Sequence, residues 1–368
     1  MIAVVIHMTV RTALALVLLF LAVACGSSQM PPPKSSQIAS SARDTPTVNA
    51  SASTASSSRL TPPSPSPIPV SAVTFSCRLP VIAGSNPSRP AFISFPGATL
   101  SYDSTTPTIP QPPGQPGPGG FYDLRFQKWL PVSRPSVSPD GTSYVWVSWL
   151  PDQTTASVIH LVNVATGSDR AIPLTGFPLV PVVMDFDGRT VFIDSGYEGP
   201  PSGLWTLDTA SSALTRIANI PFVQAYDPTS GVVWLGGVAL ADPDPPQEIE
   251  GAGSDELIRH ELSTGATLPW FYSAGKEVLL LGLDGSGSPI VQISGDLRTN
   301  GAGVEVRIVS APGVSQVIGS LQGELWGPSA DSHGVWFRGP GGIYLYRVAE
   351  GLRRVWGGEV GAIAGECL

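Results

Sequence analysis

Asp152, Glu198 and Asp242 stand in three separate stretches rich in loop-forming residues, Leu150 to Ala156, Ser195 to Gly203 and Ala239 to Asp255. Carboxylates that converge on one pocket can serve as acid and base in hydrolysis or elimination, at separations of about 5 to 9.5 Å for glycoside cleavage. The third stretch also holds Asp244, Glu248, Glu250 and Asp255, with Glu256 next to it, a set suited to a cationic partner or a Ca²⁺ ion. The plainer alternative is a solvated acidic loop. Arg298 lies in a fourth stretch of the same kind, Ser294 to Gly303.

Other chemistry is hard to find. The sequence contains no G-x-S-x-G, H-E-x-x-H, C-x-x-C or P-loop pattern. Beyond the leader the histidines are His160 and His260, both at strand positions, and His333 in a turn, and each is expected to be structural. Asp284-Gly285-Ser286-Gly287-Ser288 has the flavour of a Ca²⁺ loop with too few carboxylates. The expectation is therefore a protein without a resident cofactor, Ca²⁺ at the acidic loop being the one metal the sequence leaves open.

Cys25 is the residue with the clearest fate. It follows the apolar run Thr12 to Ala24, itself preceded by Arg11, and Leu21-Ala22-Val23-Ala24-Cys25 resembles the bacterial lipobox. That junction implies a thioether to diacylglycerol on Cys25, and two acyl chains make a lasting anchor. An ordinary secretory leader is the alternative, because Ala22-Val23-Ala24 also fits the A-x-A cleavage pattern. Of three cysteines, lipidation of Cys25 leaves Cys77 and Cys367 as one pair, either disulfide-bonded or two buried thiols.

The remainder divides by composition. Residues 1–24 are the expected signal peptide, 25–72 a lipidated Cys and Ser/Pro/Thr-rich tether, and 73–368 a folded domain. The tether has little to bury and should be disordered, reaching from roughly 40 Å coiled to about 140 Å extended. Its charge is +2, whereas the chain from Ser71 onward has 16 basic and 27 acidic side chains, a net of −11. An acidic body argues against nucleic acid as partner. Its solubility alone would also account for the charge.

The elements that must position these residues show themselves as a repeat. A turn precedes a β-branched and aromatic strand at Ser138-Pro139-Asp140-Gly141, Asp187-Gly188, Asp227-Pro228-Thr229-Ser230-Gly231, Asp284-Gly285 and Asp331-Ser332-His333-Gly334. Successive turn glycines lie 47, 43, 54 and 49 residues apart, a spacing that brackets a four-stranded propeller blade. Each unit has a second half that alternates and turns, such as Leu204 to Thr209 or Ile343 to Val348. Gly358 to Cys367 reads as the first strand of a blade whose other strands are supplied by Phe75 to Ile82 and Ala91 to Phe95. The predicted fold is all-β, a six-bladed β-propeller closed by both chain ends, with Cys77 and Cys367 near each other in the shared blade. A disulfide there would close a loop worth roughly 5 kcal/mol of chain entropy.

Ser138-Pro139-Asp140-Gly141 before an aromatic strand resembles the turn of the TolB-like, WD40-like bacterial β-propellers, over about Ser71 to Leu368. The resemblance implies a binding or assembly module, some relatives of which are fused to hydrolases. The resulting expectation is a non-catalytic lipoprotein on the outer face of the cytoplasmic membrane, held there through the lipid on Cys25. It would bind a protein or cell-wall ligand through the links between second and third strands, where Asp152, Glu198, Asp242, Asp244 and Arg298 lie. The competing expectation is a propeller-type hydrolase or lyase using Asp152, Glu198 and Asp242 at the channel mouth.

Overall fold

The computed structural model describes residues 68–84, 89–109, 111, 120–148, 157–177, 181–194, 203–220, 223–237, 254–296 and 303–368. Their strands form six blades, each an antiparallel sheet numbered here from the ring axis outward. Blade 1 runs Ala362–Ile363, Cys77–Ala83, Arg89–Phe95, Thr99–Tyr102. Blade 2 has Ser143–Ser148, Val158–Asn163 and Asp169–Pro173, with Val137 bridging Tyr144 at the innermost position. Blade 3 is Val182–Phe186, Thr190–Asp194, Leu204–Asp208, Ala213–Ala218, and blade 4 is Val223–Asp227, Val232–Gly237, Glu256–Glu261, Thr267–Tyr272. Blade 5 is Lys276–Leu283, Pro289–Asp296, Val304–Ala311, Val314–Leu321, and blade 6 is Trp326–Asp331, Gly334–Gly339, Gly342–Arg347, Gly351–Gly357.

Both chain ends build blade 1, as the repeat predicted. Ile363 pairs with Val81 and Ala362 with Ile82, and Arg78 and Leu368 exchange backbone hydrogen bonds at 3.0 and 3.1 Å. Cys77 and Cys367 form a disulfide across this seam, with Cα atoms 5.5 Å apart. The first described residues also reach blade 6: Val70 bridges Arg354 and Ser71 N–H donates to the Arg354 carbonyl at 2.7 Å. Backbone groups on the outer edge of that blade thereby gain partners.

Apolar side chains face the neighbouring blades rather than one central core. Leu79, Val81 and Ile93 of blade 1 pack with Trp336, Ile343 and Val355 of blade 6. Val145, Ile159 and Ile172 of blade 2 likewise meet Phe186, Val191 and Leu207 of blade 3. Inner strands are covered on both sides and read as nearly continuous apolar runs, Cys77–Ala83 being an example, whereas the outermost strand Ala213–Ala218 is mostly exposed.

The recurring turn aspartates have a mechanical cause. Asp187 accepts the N–H of Arg189 and Thr190, Asp227 those of Thr229 and Ser230, and Asp284 those of Ser286 and Ser288. Asp140 accepts Thr142 N–H together with the hydroxyls of Ser138 and Thr142, which holds its carboxyl down at about 2. The repeat is an Asx turn between first and second strands. It also accounts for the Ca²⁺-like run at Asp284, whose carboxylate closes its own turn.

Two features depart from the even pattern. A hairpin, Phe121–Asp123 with Lys128–Leu130, wedges between blades 1 and 2. Trp129 packs on Phe92 at 5.5 Å toward blade 1, and Phe121 and Leu130 join Val137 and Trp146 toward blade 2. The innermost position of blade 2 is a single bridge after a 3₁₀ turn, Arg134–Ser136, instead of a full strand. Pro135 and Pro139 flank that bridge and carry no N–H for a ladder.

Candidate functional site

Strand alternation brings the ends of second strands, the starts of third strands and the blade-to-blade junctions among the described residues to one face of the ring. That face carries a cleft of about 510 Å³ between blades 6 and 1, lined by Gly84, Glu324, Trp326, Arg338, Pro340 and Glu359 among others. Glu324 and Glu359 come from blade-to-blade links, Arg338 and Pro340 from the end of a second strand and its link. A smaller cleft of about 200 Å³ opens at the same end of blade 5, beside Lys276, Glu305 and Ser320.

The larger cleft has features of a recognition surface. Trp326 is 46% exposed, whereas Trp129, Trp146, Trp234, Trp336 and Trp356 are buried. It stands opposite Arg338 in the strand register, so the two side chains are neighbours. Arg338 makes no ion pair or hydrogen bond with the described residues, unlike Arg307, which pairs with Glu305, or Arg347 and Arg353, which pair with Glu350. An exposed indole, a guanidinium and carboxylates can together offer stacking, hydrogen bonds and charge to a ligand.

Glu277, Glu324 and Glu256 bring carboxylates to this face. Burial pushes the Glu277 carboxyl upward, and the negative charge of Glu324 adds to the push. Glu256, at the start of a third strand, is raised by burial and then by Asp255. Near the other ends of the innermost strands of blades 3 and 4, burial raises Asp185 against the lowering pull of Phe186 N–H and Arg134, with Asp187 and Asp227 reinforcing the rise. Tyr226 rises beside them, first through burial and then through Asp185.

Among the described residues no group of three or more His, Cys, Asp or Glu side chains is placed to hold a metal ion. Cys25, Asp152, Glu198, Asp242, Asp244 and Arg298 all lie outside the described residues, as does the acidic stretch on which the Ca²⁺ expectation rests, except for Asp255 and its neighbour Glu256. Of the sequence-predicted site residues the structure brings together one pair, Cys77 and Cys367.

Sequence reasoning included two of the links that line the cleft, Gly84 to Pro90 and Gly339 to Gly342, among the binding links, and passed over the residues that come from the links between blades. Glu324 and Glu359 sit in the latter, and the signal available was their shared position just ahead of two innermost strands. A second group also escaped notice. His160 Nδ1 lies 3.0 Å from Asp169 and its Nε2 3.2 Å from Ser148 Oγ, a row that only strand pairing assembles.

Ring and seam define a six-bladed β-propeller, the architecture that the repeat predicted, and the likeness to TolB structures agrees with it. The chain is similar to TolB from Acinetobacter baumannii, at 14% identity over 81% of this chain and 68% of that one, with a TM-score of 0.44. It is also similar to the β-propeller domain of the Trilobed protease from Pyrococcus furiosus, at 13% identity, 77% and 86% coverage and a TM-score of 0.41. A prolyl endopeptidase structure matches at 12% identity over 59% of this chain and 35% of its own length, with a TM-score of 0.42. No protein-family model and no curated protein matches the sequence.

Proposed function

We propose that this protein is a binding or assembly module, held outside the cytoplasmic membrane by lipid on Cys25, that engages a protein or cell-wall ligand through the loop-bearing face. The carrying observation is the cleft between blades 6 and 1, where Trp326 is exposed and Arg338 has no partner among the described residues. A rigid ring with its variable links on one side is a scaffold suited to recognition. The lipobox-like run ending at Cys25 supports the anchor, and the long Ser/Pro/Thr-rich segment supports a tether that sets the ring away from the bilayer. The net charge of −11 from Ser71 onward supports a partner other than nucleic acid.

The test is crosslinking in intact cells, with partners identified by mass spectrometry. The native protein is compared with a version shortened between Ala239 and Asp255 and with a Trp326→Ala, Arg338→Ala double variant. A protein or glycan captured by the native chain and lost from either variant supports the reading. Equal capture by all three overturns it. Release of a Cys25→Ser variant from the membrane fraction tests the anchor separately.

A further inference from the structure

We propose that Ser148 is an activated nucleophile, with His160 as its base and Asp169 as the residue that positions the base. The inference goes beyond the binding reading and stands or falls independently of it. Three adjacent strands of blade 2 supply the three groups. Ser148 ends the second strand, His160 lies within the third, and Asp169 begins the fourth. The register pairs Trp146 with His160 and Val162 with Asp169, so the groups run diagonally across one side of the sheet.

Proton positions follow from the partners. Asp169 offers only acceptors when ionised, so the ring nitrogen beside it, Nδ1, carries the hydrogen and donates at 3.0 Å. Neutral imidazole then has a lone pair on Nε2, and the hydroxyl 3.2 Å away must donate to it. This is the order in which a serine hydroxyl is primed for attack. Ring orientation is fixed twice, by the carboxylate and by Trp146, which stacks on the imidazole with centroids 3.9 Å apart and planes 11° from parallel. His160 keeps 19% of its side chain exposed and Asp169 keeps 42%, and Ser148 is half-buried, so a reagent in solution can reach the row.

The substrate class is an ester or another activated acyl compound. As Oγ of Ser148 bonds to the carbonyl carbon, its proton passes to Nε2 of His160, and the carbon–alkoxide bond then breaks. The departing alkoxide takes the proton from Nε2 and leaves as an alcohol. Water next gives a proton to Nε2 as its oxygen bonds to the acyl carbon, the bond from that carbon to Oγ breaks, and Oγ takes the proton back from Nε2, so the carboxylic acid leaves and the Ser148 hydroxyl is restored. Water is the only co-reactant. The structural alternative is a hydrogen-bonded row that merely ties three strands together, and it predicts no reactivity above that of an ordinary serine.

The experiment uses the intact chain and a fluorophosphonate probe, with labelled peptides mapped by mass spectrometry. Label on Ser148 is expected, absent in Ser148→Ala and slowed about a hundredfold or more in His160→Gln. Asp169→Asn should slow labelling while Asp169→Glu restores part of the rate, at thermal midpoints close to the native one, a split that loss of fold would not produce. No label on Ser148 in the folded native protein, or labelling at the native rate in His160→Gln, overturns the proposal. A loop-shortened variant that loses its partner yet still labels at Ser148 would separate this activity from the binding function.

Discussion

The carboxylate of Asp331 accepts the backbone N–H of Cys367 at 2.8 Å, tying the first turn of blade 6 to the segment that closes blade 1. The same carboxylate takes the indole N–H of Trp336 at 2.8 Å and the N–H of His333 at 2.7 Å. Its side chain is 3% exposed, so each of these bonds forms away from solvent. Asp331→Ala would strand three donors, and a loss of about 2 to 4 kcal/mol is expected. Urea unfolding of the oxidised protein measures it, and a loss below about 0.5 kcal/mol would show that the seam does not depend on Asp331.

The disulfide at that seam spans 290 residues. In the chain-entropy view such a loop stabilises by roughly 5 kcal/mol, an upper figure that native-state strain or residual unfolded structure reduces. Replacing Cys77 and Cys367 by Ala should lower the urea midpoint and steepen the transition, because the unfolded chain becomes more expanded. An unchanged midpoint would mean that the paired backbone and Asp331 alone hold the ring closed.

Asp185 tests the axis. Burial raises its carboxyl in the folded state, which therefore binds a proton more tightly than the unfolded chain does. Above the raised value the ionised group costs stability. That cost fades as pH falls through the folded value and is gone below the unfolded value of about 3.9. Asp185→Asn should raise the melting temperature at neutral pH, with the gain shrinking toward zero in acid. A uniform gain or a loss at every pH would contradict this assignment.

Glycines at the blade ends separate steric from conformational need. A Cβ on Gly342 would lie 1.9 Å from the Trp356 carbonyl oxygen, whereas one on Gly167 would meet nothing within 4 Å, although its φ is +70°. Gly167→Ala should cost about 1 to 2 kcal/mol through its left-handed backbone. Gly342→Ala should cost roughly 3 kcal/mol or more, since the outer strand must move. Denaturation of the two variants compares them, and equal losses would refute the packing argument.

Much of this architecture was legible in the sequence because it rests on local chemistry. Asp140, Asp187, Asp227, Asp284 and Asp331 mark the first turn of a blade by bonding to their own backbone, and the glycine spacing counts the blades. The seam was legible too, since Gly358 to Cys367 repeats the start of a blade. The wedge hairpin was not, because Phe121–Asp123 and Lys128–Leu130 are three-residue strands outside the repeat, held by contacts with Phe92 and Trp146 on different blades. Nor was the Ser148, His160 and Asp169 row, whose members meet only when three strands pair in register. His160 was expected to be structural on its strand position alone, which says nothing of its neighbours.

Site-specific photocrosslinking distinguishes the two faces of the ring. A photoreactive residue is placed at Pro340, beside the cleft on the loop-bearing face, and in a second version at Ala165, in the turn between third and fourth strands on the opposite face. Both positions are exposed. In intact cells a specific crosslinked species is expected from Pro340 and none from Ala165. Capture from Ala165 alone, or from both positions equally, would contradict a binding propeller that works through its loop-bearing face.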